Sequence, residues 1–310
     1  MKIAFVFPGQ GSQTVGMLDA WVDDAVVQAA VREGDAALGQ DLSGLIARGP
    51  AEDLNLTTNT QPAMLLSAVA MYRAWIAAGG RAPDLVAGHS LGEYSALTAV
   101  GSINLADALR TVRVRAQAMQ AAVPVGMGGM AAILGLDDET VRRVCGEAAD
   151  GEVVEAVNYN APAQVVIAGH AGAVERACER ARAAGAKRAL SLPVSAPFHS
   201  SLLEPAAAVL REALAAIEVR SPAIPLINNV DVARPGDPGA IRDALVRQAW
   251  HPVRWVETIE ALAAAEVTHV VECGPGKVLS GLVKRIDRNL QAMNITDPAS
   301  LRQTLDALGG

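Results

Sequence analysis

The segment Gly88-His89-Ser90-Leu91-Gly92 sets a serine between two glycines at the spacing G-x-S-x-G. Apolar Leu85-Val86-Ala87 before it predicts a strand, and Glu93-Tyr94-Ser95-Ala96-Leu97 after it predicts the start of a helix. In such a strand–turn–helix elbow the glycines permit a sharp turn, and the serine hydroxyl stands exposed above the sheet. The next main-chain N–H, that of Leu91, then points to where an oxyanion would form. The chemistry on offer is covalent acyl transfer through Ser90.

A serine hydroxyl is a weak nucleophile until a base takes its proton. Five histidines are available: His89, His170, His199, His251 and His269. His89 adjoins the serine, but neighbouring side chains at an elbow diverge. His269 falls within an apolar run and reads as a packed core residue, while His170 and His251 fall in turns without an evident role. His199 follows Ser195-Ala196-Pro197-Phe198, where the chain is expected to return from a small domain to a large one. That position borders an interdomain cleft, which makes His199 the candidate base.

Arg115 lies in a helical stretch whose apolar stripe is Ala108, Val112, Ala116 and Met119. At roughly 100° per residue it falls within about 60° of the stripe's centre. Two readings stay open. The arginine snorkels outward from the stripe's edge, or its guanidinium sits in the cleft and grips a carboxylate in bidentate fashion. An unpaired buried charge costs about 3–5 kcal/mol, so the second reading would select strongly for acids.

Two glycine-rich loops carry no nucleotide signature. Gly9-Gln10-Gly11-Ser12-Gln13 fails as a dinucleotide fingerprint because Thr14 replaces the third glycine. Gly274-Pro275-Gly276-Lys277 fails as a phosphate loop, with Val271 and Val278 at its two end positions. Both read as close backbone approaches at the carboxyl ends of strands, where α/β sheets bind ligands. Gln10 could supply a second hydrogen-bond donor there.

These residues need a scaffold. Ile3–Phe7 reads as a buried parallel strand cut off by Pro8-Gly9, with further short strands at Leu85–Ala87, Leu226-Ile227 and 269–272. Helical stretches at 62–77, 105–122 and 202–216 alternate with them, which argues for an α/β fold. From Met130 the expected order is strand (130–136), helix (138–149), strand (153–158), strand (164–168), helix (172–184) and strand (187–193). The second helix places Val174, Ala177, Cys178 and Ala181 on one face. This βαββαβ order is the ferredoxin-like arrangement. The expected architecture is therefore a large α/β-hydrolase-like domain with a parallel sheet (residues 1–123 and 197–310) and an inserted ferredoxin-like small domain (124–196). A ligand cleft is expected between them.

Composition removes several classes of function. The chain has 310 residues, 51% of them hydrophobic, which is enough for a large core. A net charge of −7 disfavours nucleic acid as the main partner. Cys145, Cys178 and Cys273 are odd in number and widely spaced, so neither a disulfide framework nor a zinc site is expected. The apolar run at the N-terminus is too short for a signal peptide, and no stretch reaches about 18 apolar residues. A cytoplasmic protein with no membrane span is expected.

Taken together, the motifs resemble those of the malonyl-CoA:acyl carrier protein transacylases of discrete bacterial fatty-acid synthesis. The resemblance runs over essentially the whole chain. It includes Phe7-Pro8-Gly9-Gln10-Gly11-Ser12-Gln13, Thr60-Gln61-Pro62-Ala63, Gly88-His89-Ser90-Leu91-Gly92-Glu93 and Arg115 with Met119-Gln120. Asn158-Tyr159-Asn160, Pro197-Phe198-His199-Ser200 and Gly274-Pro275-Gly276-Lys277-Val278-Leu279 complete it. It implies that Ser90 is acylated, that His199 is the base, and that Arg115 binds the malonyl carboxylate. Main-chain N–H groups of Gln10 and Leu91 would serve the oxyanion, and the main-chain carbonyl of Gln248 would orient His199 in place of an aspartate. Phe198, Asn160 and His89 are implied around the substrate, with the Phe198 ring crowding out an extra α-methyl.

The implied reaction is ping-pong between malonyl-CoA and the phosphopantetheine thiol of holo acyl carrier protein. No metal or bound cofactor is needed, since the pantetheine arm belongs to the substrates, and a monomer is expected. Carrier proteins are acidic, so Lys187-Arg188 and Lys284-Arg285 are the candidate docking charges. Rival readings are an esterase or thioesterase sharing the elbow, the acyltransferase component of a malonate decarboxylase, a trans-acting polyketide partner, and a non-catalytic binding module.

Overall fold

The computed structural model describes residues 1–309. β1 (Ile3–Phe7) leads into α1 (Ala25–Leu38), α2 (Leu42–Arg48), α3 (Ala51–Leu54) and α4 (Thr57–Ala77). β2 (Leu85–Gly88) is followed by α5 (Gly92–Ala99) and α6 (Leu105–Ala122). The middle of the chain runs β3 (Gly128–Leu134), α7 (Asp138–Ala148), β4 (Val154–Ala161), β5 (Gln164–His170), α8 (Ala171–Ala183) and β6 (Arg188–Ser191). It continues with α9 (Glu204–Ala215), β7 (Leu226–Ile227), α10 (Pro238–Gln248) and α11 (Trp255–Ala264). Last come β8 (His269–Cys273), α12 (Val278–Ile286), β9 (Gln291–Ile295) and α13 (Pro298–Leu308).

Five strands form a parallel sheet in the order β7-β2-β1-β8-β9. β1 is buried along its whole length because the sheet is covered on both faces. Alternate side chains of a strand point to opposite faces. Accordingly Ile3, Phe5 and Phe7 join the core that contains Met64, Leu65 and Trp75 of α4. Ala4 and Val6 join a second core with Trp255 and Ile259 of α11 and Leu282 of α12. Phe5 meets Tyr72 edge-on at 5.6 Å between ring centres, a geometry worth about 0.5–1.5 kcal/mol beyond burial.

The middle segment forms a separate four-stranded antiparallel sheet, ordered β4-β5-β3-β6. It has its own apolar cluster, in which Val141 and Val144 of α7 face Val174, Ala177, Cys178 and Ala181 of α8. β4 extends to Ala161, beyond the expected end at Asn158. Its polar run Asn158-Tyr159-Asn160 pairs through the main chain with two register shifts against β5. The same edge leans on the parallel body, since Asn158 bridges to Val253 and Ser201 N–H donates to Glu155 Oε2 at 2.8 Å.

Other boundaries move as well. α4 starts five residues before Pro62, anchored by Thr60 Oγ1 donating to Leu54 O at 2.6 Å. β9 and the helices before Thr57 were not expected. β9 carries Gln291 and Asn294 on the sheet's edge, so it lacks the apolar run of the inner strands. Among the described residues, no helix is long and apolar enough to cross a membrane.

Candidate active site

Ser90 stands one residue beyond His89, at the carboxyl end of β2, in a turn that only glycines permit. A Cβ on Gly88 would lie 1.9 Å from the carbonyl of Gly92, and one on Gly92 would lie 2.0 Å from the carbonyl oxygen of Phe7. Ser90 itself adopts φ 53°, the left-handed region that costs a non-glycine residue about 1–3 kcal/mol. Both ends of its main chain are held. Its N–H donates to Asn229 Oδ1 at 2.7 Å, and its carbonyl accepts from Gln248 Nε2 at 2.9 Å. Asn229 Nδ2 also donates to Gly88 O at 2.7 Å, tying the turn to the end of β7.

His199 Nε2 lies 2.6 Å from Ser90 Oγ, and its Nδ1 lies 2.9 Å from the carbonyl oxygen of Gln248. A carbonyl only accepts, so Nδ1 carries the proton and the Nε2 lone pair faces the hydroxyl. Burial, and then the Arg115 guanidinium, push the imidazole down to about 3. The ring is therefore neutral and ready to take a proton. Among the described residues no acidic side chain hydrogen-bonds it; the main chain at the end of α10 fills that place.

Arg115 does not snorkel. It is 1% exposed, inside α6's buried face. Nη1 donates to Gln61 Oε1 at 2.7 Å, while Nη2 donates to Gln248 Oε1 at 3.0 Å and to Ser90 Oγ at 3.2 Å. The guanidinium also sits 5.5 Å from the centre of the Tyr94 ring. Its direct acceptors are neutral, and burial lowers its affinity for its proton. The buried Glu93 carboxyl and the Tyr94 hydroxyl act the other way and favour its charged form.

Gln10 and Leu91 flank the same space. Gly9 packs against His89, where a Cβ would come within 2.7 Å of His89 O, so the first loop abuts the elbow. Among the described residues, the main-chain N–H of neither Gln10 nor Leu91 has a protein acceptor. Gln10 Oε1 is held by Thr57 Oγ1 at 3.0 Å. His89 turns away from the serine, with Nε2 donating to Asn160 Oδ1 at 2.7 Å and its ring edge-on to Trp255. Phe198 is buried in the core beside His199. A cavity of about 470 Å³ is lined by His199 together with Arg142, Tyr159, Trp250 and His251.

The remaining histidines make no contact with Ser90 among the described residues. His269 is half-exposed at the start of β8, with Nδ1 2.8 Å from Thr268 Oγ1, so it is not the core residue its apolar run suggests. His170 Nδ1 accepts from Val153 N–H, and His251 Nδ1 contacts Arg247 O. No cluster of three or more His, Cys, Asp or Glu side chains suited to a metal ion occurs among the described residues.

Lys187, Arg188, Lys284 and Arg285 are all exposed. Leu134 pairs with Gln164 on one side and Arg188 on the other, and Arg285 Nη1 hydrogen-bonds Gln164 Oε1. The two basic pairs thus share one end of the antiparallel sheet. At that end Ala161 pairs with Gln164, one residue from the Asn160 that holds His89.

Glu93, Asn229, Gln61 and the side chain of Gln248 complete the site and were not assigned from sequence. Glu93 is 1% exposed, and burial raises its carboxyl to about 7 against the pull of its hydrogen bonds and of Arg115. Two signals could have pointed to this shell. Glu93 follows Ser90 by one helical turn, and Asn228-Asn229 follows β7 at the ligand-facing end of the sheet.

Comparison with known proteins places the chain in a family. A family model described as an acyl transferase domain matches residues 4–299. The chain is 54% identical over 306 residues to the malonyl CoA-acyl carrier protein transacylase of Escherichia coli K12, covering 98% of this chain and 99% of that one. It superposes on the acyl-carrier-protein S-malonyltransferase of Burkholderia pseudomallei with a TM-score of 0.97 at 65% identity, covering 99% and 100% of the two chains. A malonyl-transacylase solved in complex with its holo type II PKS acyl carrier protein gives a TM-score of 0.98 at 50% identity, covering 99% and 100%. The chain belongs to the acyl transferase family, among the malonyl CoA-acyl carrier protein transacylases.

Proposed function

We propose that the chain moves a malonyl group from malonyl-CoA to the phosphopantetheine thiol of holo acyl carrier protein, through a malonyl ester on Ser90. One observation carries this reading. Ser90 Oγ lies 2.6 Å from a neutral base, His199 Nε2, and 3.2 Å from a buried cation, Arg115 Nη2. A general esterase has no use for that cation.

In the first half-reaction Ser90 Oγ attacks the thioester carbonyl as its proton passes to His199 Nε2. The N–H groups of Gln10 and Leu91 stabilise the oxyanion. Collapse expels the CoA sulfur, which recovers the proton from His199. The second half repeats these steps with the carrier's thiol as nucleophile and Ser90 as leaving group. Throughout, the malonyl carboxylate takes Arg115 as its partner, Asn160 and His89 line the approach, and Phe198 limits bulk at the α-carbon. Gln248 O holds the imidazole in its working tautomer. None of these steps calls for a metal or a bound cofactor.

On this reading residues 1–123 and 197–310 form an α/β-hydrolase-like body, with 124–196 as an inserted ferredoxin-like domain. The basic pairs Lys187-Arg188 and Lys284-Arg285 receive the acidic carrier. The test is to load the enzyme with malonyl-CoA, remove free substrate, and compare loss of the adduct in buffer with loss on adding holo carrier protein. Rapid discharge onto the carrier with slow hydrolysis supports transfer. Equal rates would make the protein a hydrolase.

A further inference from the structure

Glu93 opens α5 one turn after Ser90, is almost fully buried, and takes no part in the steps above. A single carboxylate oxygen, Oε2, accepts from Asn229 N at 3.0 Å and from Gln248 Nε2 at 2.9 Å. These same two residues grip the main chain of Ser90, Asn229 at its N–H (2.7 Å) and Gln248 at its carbonyl (2.9 Å). Gln248 reaches further, because its Oε1 accepts from Arg115 Nη2 at 3.0 Å.

This network has a polarity. The Ser90 carbonyl and an ionised carboxylate can only accept, and a guanidinium can only donate. One orientation of the Gln248 amide satisfies all three, with nitrogen toward Glu93 and oxygen toward Arg115. We propose that Glu93 is a positioning residue for acyl transfer: its carboxylate fastens Asn229 and Gln248 as two jaws that hold Ser90 in its left-handed turn and aim Arg115 at Ser90 Oγ. The proposal rests on the reading of Ser90 as the nucleophile.

The ionised form of Glu93 is the effective one, since a charged acceptor strengthens both bonds. Burial raises this carboxyl to about 7, so the clamp loosens as pH falls through neutrality. The charged and titratable groups facing it are Arg115 from α6, which favours ionisation, Asp231 beyond β7, which opposes it, and Tyr94 on its own helix. His199, held near 3, stays neutral over the same range. The acid limb of acylation therefore belongs to Glu93 and not to the base.

The experiment measures malonyl-Ser90 formation by rapid quench and intact mass, with malonyl-CoA alone so that no acceptor thiol titrates. Wild-type enzyme should lose about tenfold in rate between pH 8 and pH 6, following the ionised fraction of a group near 7. Glu93→Gln keeps an oxygen for both bonds but loses the charge. It should be roughly tenfold slower at pH 8, and flat to within about twofold down to pH 6. Glu93→Ala should be slower again, on the order of a hundredfold, with reduced preference for malonyl-CoA over acetyl-CoA. If the alanine variant does not fold, the glutamine variant decides alone. The clamp is overturned if E93Q keeps the wild-type rate per folded enzyme, or if it keeps the wild-type acid limb. Labelling of Ser90→Ala would instead overturn the nucleophile itself, so the two failures are told apart.

Discussion

Arg115 Nη2 donates to Ser90 Oγ across 3.2 Å, so a buried positive charge touches the hydroxyl proposed as nucleophile. Any acyl group on Ser90 ends up beside that charge. Replacing Arg115 with alanine should lower kcat/KM for malonyl-CoA by about 10²–10⁴-fold, equivalent to the roughly 3–5 kcal/mol of a broken buried ion pair. Acetyl-CoA, which has no carboxylate to lose its partner, should become a comparatively better donor. Steady-state rates with both donors check this, and an unchanged malonyl preference would remove Arg115 from that role.

Gln248 serves His199 with its main-chain carbonyl, and Arg115 and Ser90 with its side chain. The substitution Gln248→Ala separates these duties because it leaves the carbonyl in place. Malonyl preference should fall by about tenfold, the value of one hydrogen bond to a charged group. His199→Ala should instead cost on the order of 10³-fold in acylation with either donor, as expected for loss of a general base. Equal effects of Q248A on malonyl and acetyl transfer would argue against the link to Arg115.

His199 gives a signed dependence of stability on pH. Its folded value, about 3, lies below the ordinary 6.5. The unfolded chain therefore binds the extra proton across that interval, and folding stability falls as pH drops from about 6.5 toward 3. Glu93 works the other way between about 7 and 4.5, where its raised carboxyl favours the protonated folded state as pH falls. Comparing wild type with His199→Gln cancels the Glu93 contribution. Thermal unfolding from pH 7 to pH 5 should show the wild type losing ground to the variant, and a constant gap would contradict a neutral buried His199.

As proposed docking charges, the exposed basic pairs should bear on the second substrate only. Reversing Lys284 and Arg285 to glutamate should raise KM for holo carrier protein and steepen its cost at low salt, where surface charges are least screened. Acylation by malonyl-CoA should keep its rate. A matched loss in both half-reactions would place the effect in the fold instead of at the docking surface.

The parts of this site differ in how openly the sequence displays them. The elbow is legible because its left-handed turn demands glycines at fixed offsets, and Gly88 and Gly92 have no room for a Cβ. Helical phase brought Arg115 near the stripe but could not separate a buried guanidinium from one at the edge, since both share an angle. Asn229 and Glu93 act across 139 and 136 residues of chain, through contacts that no local pattern encodes. β9 stayed hidden for a different reason: an edge strand with Gln291 and Asn294 needs no apolar run.

The central claim is that Ser90 carries the malonyl group between two substrates. Its most direct test is intact and peptide-level mass spectrometry after mixing with malonyl-CoA, followed by addition of holo carrier protein. One malonyl adduct is expected on the peptide holding Ser90, absent from Ser90→Ala and discharged onto the carrier. An adduct that survives in Ser90→Ala, or transfer to the carrier without any enzyme adduct, would contradict it.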